Sequence, residues 1–126
     1  KYVSFADKVL IDVPCSGLGI IRKKPEIKWN KSRKSLKDLV PTQREIMENA
    51  WTYLKSGGTM LYSTCTLNVE ENQDNIEWFL NNHKDAKVEK IFLGNMDNFM
   101  YNNDGSLTIL PNEYMDGFYV AKIIKK

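Results

Sequence analysis

Two cysteines are the residues of this chain best suited to covalent chemistry, and they are the only ones among its 126 residues. Cys15 stands in Asp12-Val13-Pro14-Cys15-Ser16-Gly17, and Cys65 stands in Tyr62-Ser63-Thr64-Cys65-Thr66. Each follows a short apolar run that reads as a strand. A thiol delivered to a loop at a strand end is held rigidly yet remains exposed, which suits a nucleophile. Neighbouring hydroxyls and open backbone amides can stabilise a thiolate, lowering a pKa that is about 8.5 when unperturbed. The plain alternative at each position is a buried cysteine acting as a small apolar residue. The lone histidine, His83, makes neither a zinc site nor a Cys/His dyad with them. The cysteines lack paired ligand spacing, no fourth ligand is evident, and His83 falls at the far end of the helix expected after Cys65.

The elements that must position these thiols alternate. Lys8 to Val13 is a continuous apolar run, which predicts a strand buried on both faces and hence a parallel sheet. A turn from Pro14 to Gly19 ends it. Residues 20–37 are basic and interrupted by Pro25, the pattern of a long loop with a short helical turn; long loops in compact domains tend to be functional. Thr42 and Glu45 have capping-box spacing just after Pro41, and Ile46, Met47, Ala50, Trp51 and Leu54 then repeat at helical spacing. This predicts a helix over 42–56, stopped by Gly57-Gly58. Thr59 to Ser63 predicts a second buried strand. Asn68 and Glu71 repeat the capping spacing, and Val69, Ile76, Phe79 and Leu80 predict a second helix reaching Asn82 and a solvated His83. A weaker strand is expected over 86–92, a surface loop over 94–106, a short extended piece over 107–110 and a last strand over 117–124. The order is α/β, in which ligands bind beyond the carboxyl ends of the strands. Both cysteines fall at such ends, so one site can receive both.

Composition bounds the class. At 42% hydrophobic and 27% charged residues, the chain has the balance of a soluble globular domain or part of one. No apolar run approaches the roughly 18 residues of a membrane span. The first residues have no apolar signal-peptide core, and the missing initiator Met implies a piece of a longer chain. Two cysteines make no disulfide framework and fit the reduced thiols of a cytoplasmic protein. The formal charge of +2 is uneven. Residues 22–37 hold eight of the 18 basic residues and one of the 16 acidic ones, so this segment carries +7 and the rest −5. Such a run is often only a solvated face. Here Trp29 sits in its middle, and cations around one aromatic suit a phosphate backbone with a base to stack. Gly17-Leu18-Gly19 is no dinucleotide fingerprint, because Arg22 occupies the third glycine position and no helix follows.

Three separated stretches carry a resemblance. Asp12 to Gly19, followed by Arg22, Pro25, Ile27 and Lys28-Trp29, resembles motif IV of the Sun/Fmu family of RNA cytosine-5 methyltransferases. Leu54 to Gly58 leading into Tyr62-Ser63-Thr64-Cys65-Thr66, then Glu70-Glu71-Asn72, resembles its motif VI, and Asp116 to Lys122 its closing motif. The resemblance implies the C-terminal half of a Rossmann-like, S-adenosylmethionine-dependent methyltransferase sheet, mostly parallel with an antiparallel last strand. The family's glycine-rich cofactor loop and N-terminal RNA-binding region are expected to precede this chain. The implied activity is methylation of carbon 5 of cytosine in ribosomal RNA through a covalent cysteine adduct, with S-adenosyl-L-methionine as cofactor, ribosomal RNA as partner, and neither metal nor membrane. By the same resemblance Cys65 is the nucleophile, Cys15 assists product release, and Asp12 contacts the cofactor rather than merely capping a turn. Arg22, Lys23, Lys24, Lys28 and Trp29 are expected to hold RNA. Related DNA enzymes use the Pro-Cys cysteine as nucleophile, so the residues alone leave the choice between the thiols open. A DNA cytosine-5 methyltransferase and a non-catalytic RNA-binding module are the alternative readings.

Overall fold

The computed structural model describes residues 4–13, 33–113 and 116–126. Among them the elements run β1 (Ala6–Asp12), α1 (Arg33–Tyr53), β2 (Leu54–Thr64), α2 (Gln73–Asn82), β3 (Ala86–Glu89), β4 (Phe99–Tyr101), β5 (Leu107–Ile109) and β6 (Phe118–Lys125). The strands form one sheet in the order β1-β2-β6-β5-β4, with β3 also paired to β6. β1 and β2 are parallel, with α1 in the crossover between them. β6 is antiparallel to β2 along one edge and to β3 and β5 along the other. Chain direction follows from these pairings: β1, β2, β3 and β5 run one way, β4 and β6 the other. The antiparallel last strand expected from the sequence thus lies in the middle of the sheet.

The core lies between one face of this sheet and the two helices. Strand alternation aims Met60, Tyr62, Tyr119, Ala121 and Ile123 at the helices, and all five are fully buried. Gln43, Met47, Ala50 and Trp51 bring one stripe of α1 onto that face, and Leu54, the first residue of β2, is fully buried beside it. α2 adds Ile76 and Phe79. Trp51 meets Phe79 edge to face at 4.9 Å. Each fully buried large apolar side chain contributes about 1.5–3 kcal/mol.

Several expectations are corrected. β1 is not buried on both faces: Ile11 and Val13 enter the core, whereas Leu10 points the other way and is 71% exposed. Among the described residues β1 is an edge strand, and no helix covers the face that carries Leu10. α1 begins at Arg33, inside the expected loop, and passes through Pro41 instead of starting after it. Proline removes one backbone bond, but the packed stripe continues and decides the extent of the helix. The helix ends at Tyr53, before Gly57-Gly58. The pairing steps from Ala6↔Leu54 to Lys8↔Thr59, so residues 55–58 bulge out of the ladder, and Gly57 supplies a φ of 85° within that bulge. The helix end is closed instead by Lys125 of β6, whose Nζ donates to the carbonyls of Trp51 at 2.9 Å and Leu54 at 2.8 Å.

Residues 68–72 form turns before α2, and Val69 is exposed rather than buried. β3 stops at Glu89, and the expected surface loop contains β4, whose Phe99 and Tyr101 pair with Ile109 and Leu107. His83 is half-buried, not solvated: its ring stacks on Phe79 at 4.2 Å, and its Nε2–H donates to Glu48 at 2.7 Å.

Candidate active site at the carboxyl ends of β1 and β2

Asp12 is the last residue of β1 and Ser63 is its register partner on β2. The ladder extends one step further, with the Val13 N–H donating to the Ser63 carbonyl at 3.2 Å. Ser63 Oγ lies 3.3 Å from Asp12 Oδ1 and 3.4 Å from the Ile11 carbonyl, tying the two strand ends together. Asp12 is exposed beyond this tie, and Cys65 follows β2 immediately, half-buried. The parallel register therefore places Asp12 and the Cys65 segment at neighbouring carboxyl ends, the position where ligands bind in such sheets. Cys15, Arg22, Lys23, Lys24, Lys28 and Trp29 lie outside the described residues.

The Cys65 segment is fixed by its neighbours. Thr64 and Thr66 are fully buried on either side of it. Thr64 Oγ1 donates to Asn72 Oδ1 at 2.6 Å, and Asn72 Nδ2 donates to the Thr66 carbonyl at 2.9 Å. The Asn68 N–H donates to Thr66 Oγ1 at 3.2 Å, closing the turn on its far side.

Beneath this turn lies a buried polar web. Glu71 is fully buried, and each carboxylate oxygen accepts from an amide: Oε1 from Gln43 Nε2 at 3.0 Å and Oε2 from Asn68 Nδ2 at 2.8 Å. The Glu71 carbonyl accepts the Tyr62 hydroxyl at 2.6 Å. Asn75 Nδ2 sits within 3.0 Å of the Tyr62 hydroxyl and 2.9 Å of Gln43 Oε1, while Asn75 Oδ1 accepts Arg44 Nε at 3.0 Å. Arg44 also lies over the Trp78 ring, 4.7 Å from its centroid. The web joins α1, β2 and α2 just below the cysteine. Buried polar groups satisfied in this way hold one arrangement rather than several.

Gln43 and Asn75 did not stand out in the sequence as parts of the site. For Asn75 the polar run Asn68 to Asn75 was a signal; Gln43 had none, since its partners Glu71 and Asn75 are 28 and 32 residues away. No group of three or more His, Cys, Asp or Glu able to hold a metal occurs among the described residues, and no helix there is long and apolar enough to cross a membrane.

The family model described as 16S rRNA methyltransferase RsmB/F matches residues 1–124. Ribosomal RNA small subunit methyltransferase B of Shewanella oneidensis is 38% identical over 120 residues, covering 94% of this chain and 27% of that protein. The crystal structure of PH0851 matches with a TM-score of 0.87 at 35% identity, over 98% of this chain and 27% of that one. NSun6 from Pyrococcus horikoshii with SFG, an S-adenosylmethionine analogue, matches with a TM-score of 0.78 at 31% identity, over 97% of this chain and 30% of that one. The chain thus spans about a quarter of the length of the curated relatives it matches.

Proposed function

Because the chain belongs to the 16S rRNA methyltransferase RsmB/F family, we propose that it forms the C-terminal part of a catalytic domain that methylates carbon 5 of cytosine in ribosomal RNA, with Cys65 as nucleophile. The observation that carries this reading is the placement of Cys65 beside Asp12, at adjacent strand ends of one parallel pair, in a turn clamped on both sides. S-adenosylmethionine supplies an electrophilic methyl group when bound. An exposed carboxylate beyond a strand end fits such a cofactor, because it accepts hydrogen bonds from hydroxyl or ammonium groups, and Asp12 would make that contact. The glycine-rich part of the cofactor site belongs, in this reading, to sequence preceding residue 1.

Carbon 5 of cytosine is a poor nucleophile unaided. Addition of the Cys65 thiolate to carbon 6 turns the ring into an enamine with electron density at carbon 5, from which methylation proceeds. Loss of the carbon 5 proton to a base then drives elimination of the Cys65 thiolate and restores aromaticity. This covalent route divides one hard step into easier ones. Cys15 assists the elimination. The target base must be unstacked to reach the thiol, and Arg22, Lys23, Lys24, Lys28 and Trp29 hold the RNA nearby.

Methyl incorporation by the full-length parent protein, on matched ribosomal RNA and DNA substrates, tests this. Cys65→Ala should abolish incorporation into RNA, and Cys15→Ala should accumulate a covalent protein–RNA adduct seen as a slow gel band. An adduct with Cys65→Ala but not with Cys15→Ala would reverse the two roles, and preferential methylation of DNA would reject the substrate class.

A further inference from the structure

We propose that Asn72 is a positioning residue for Cys65, acting through the Thr64 hydroxyl and the Thr66 carbonyl on either side of the thiol. The inference rests on the reading of Cys65 as the nucleophile. Asn72 is 1% exposed, and its one side-chain amide engages both neighbours of the cysteine. Its oxygen accepts from Thr64 Oγ1 at 2.6 Å, and its nitrogen donates to the Thr66 carbonyl at 2.9 Å. A planar amide fixes the separation and direction of these two contacts, so residues 64 and 66 are held as a unit and Cys65 between them has little freedom to turn. The amide is held in turn from its own backbone. The Asn72 N–H donates to the carbonyls of Asn68 and Val69 at 3.2 and 3.1 Å, and the Asn72 carbonyl accepts from the Ile76 N–H at 3.1 Å. Asn72 also occupies the N-cap of α2 without making a side-chain cap bond. An N-cap asparagine ordinarily turns its side chain onto the helix amides; here it is turned onto the cysteine turn instead. A thiol that must approach carbon 6 along one direction gains rate from such restraint, since small displacements of a reacting group cost large factors in rate.

The test uses the full-length protein and two readouts, the steady-state kinetics of RNA methylation and the rate of Cys65 alkylation by iodoacetamide, followed by peptide-resolved mass spectrometry that separates Cys65 from Cys15. Asn72→Ala should lower kcat at least tenfold with KM for RNA within twofold, and should change the Cys65 alkylation rate at least threefold. Thr64→Val removes one of the two bonds with little change of volume and should give a smaller shift of the same kind in both readouts. Ile123→Val, a core change remote from the turn, should leave both within twofold and controls for general loss of stability. Kinetics and alkylation of folded Asn72→Ala within twofold of wild type would overturn the proposal. If Asn72→Ala does not fold, Thr64→Val decides by the same criteria. The underlying reading fails separately, by methylation that survives Cys65→Ala, whereas the alkylation result at Cys65 does not depend on it.

Discussion

Replacing Glu71 by alanine removes both oxygens that receive the amides of Gln43 and Asn68. Hydrogen bonds onto a charged acceptor contribute roughly 1.5–3 kcal/mol each. The Gln43 contact is fully buried and belongs at the upper end, about 2–3 kcal/mol. The Asn68 amide is only half-buried, so water replaces much of its contact and about 1 kcal/mol is lost there. Glu71→Ala should therefore cost about 3–4 kcal/mol, a large share of the 5–15 kcal/mol typical of a domain. Glu71→Gln keeps one acceptor and turns an NH2 toward the other amide, a cost of about 1–2 kcal/mol. Urea unfolding followed by tryptophan fluorescence measures this, since Trp51 is buried against Phe79 in the core. An unchanged m-value would show that the denaturant-sensitive surface is the same in all three proteins. A Glu71→Ala protein within 1 kcal/mol of wild type, or a Gln variant less stable than the Ala variant, would refute the reasoning that the web is sustained by its carboxylate.

Two buried tyrosines should differ. Tyr62 bonds the Glu71 carbonyl and Asn75, so Tyr62→Phe should cost about 1–3 kcal/mol in urea unfolding; the Tyr119 hydroxyl has Ser106 close by but in no well-aligned hydrogen bond, and Tyr119→Phe should be within about 0.5 kcal/mol of neutral. Burial pushes the Tyr119 phenol far above its usual 10.0, and nearby Ser106 offsets only part of this rise. The folded state therefore keeps a proton that the unfolded state releases near pH 10, so stability should fall above that pH by up to about 1.4 kcal/mol per unit, and Tyr119→Phe should remove this slope. Gly58→Ala would place a Cβ 2.5 Å from Leu54 Cδ1 and 2.9 Å from the Asp7 carbonyl, which should lower stability by about 1–3 kcal/mol in the same assay. Leu10→Lys, on the exposed edge strand, should reduce self-association of the chain in sedimentation without lowering its melting temperature.

The two parallel strands of the proposed site were legible because short apolar runs bounded by turn-forming residues have few structural alternatives. Met60 and Tyr62 alternate as a strand must, and Met47, Ala50 and Trp51 repeat at helical spacing. Boundaries were misread where a local signal had a tertiary use. Pro41 with Thr42 and Glu45 imitates a helix start, yet α1 runs through it on the strength of its buried stripe. Gly57-Gly58 imitates a helix stop, yet forms a bulge, because the role of closing the helix belongs to Lys125, about seventy residues away in sequence. Asn68 and Glu71 have capping spacing, but their side chains bond each other and Glu71 turns inward to Gln43. No window of sequence shows that pairing, since it joins residues 28 apart. β4 was missed because a three-residue strand has too few positions to display alternation.

The central position of β6 has a consequence for how the molecule is made. Until residues 118–125 have left the ribosome, β2 has no partner on its inner edge, β3 has no strand to join among the described residues, and β5 has only the short β4. The inward faces of Met60 and Tyr62 then lack the Ala121, Ile123 and Tyr119 surface they bury against. An emerging chain can form the parallel β1–β2 pair with α1 packed on it, but these strands join into one sheet only when β6 threads between neighbours already synthesised. Long-range pairing of this kind is slow, and exposed strand edges invite wrong partners meanwhile. A premature stop anywhere before β6 would therefore remove the centre of the sheet rather than trim its edge, and such truncated chains should be cleared by proteolysis or aggregate rather than persist as shorter folded forms.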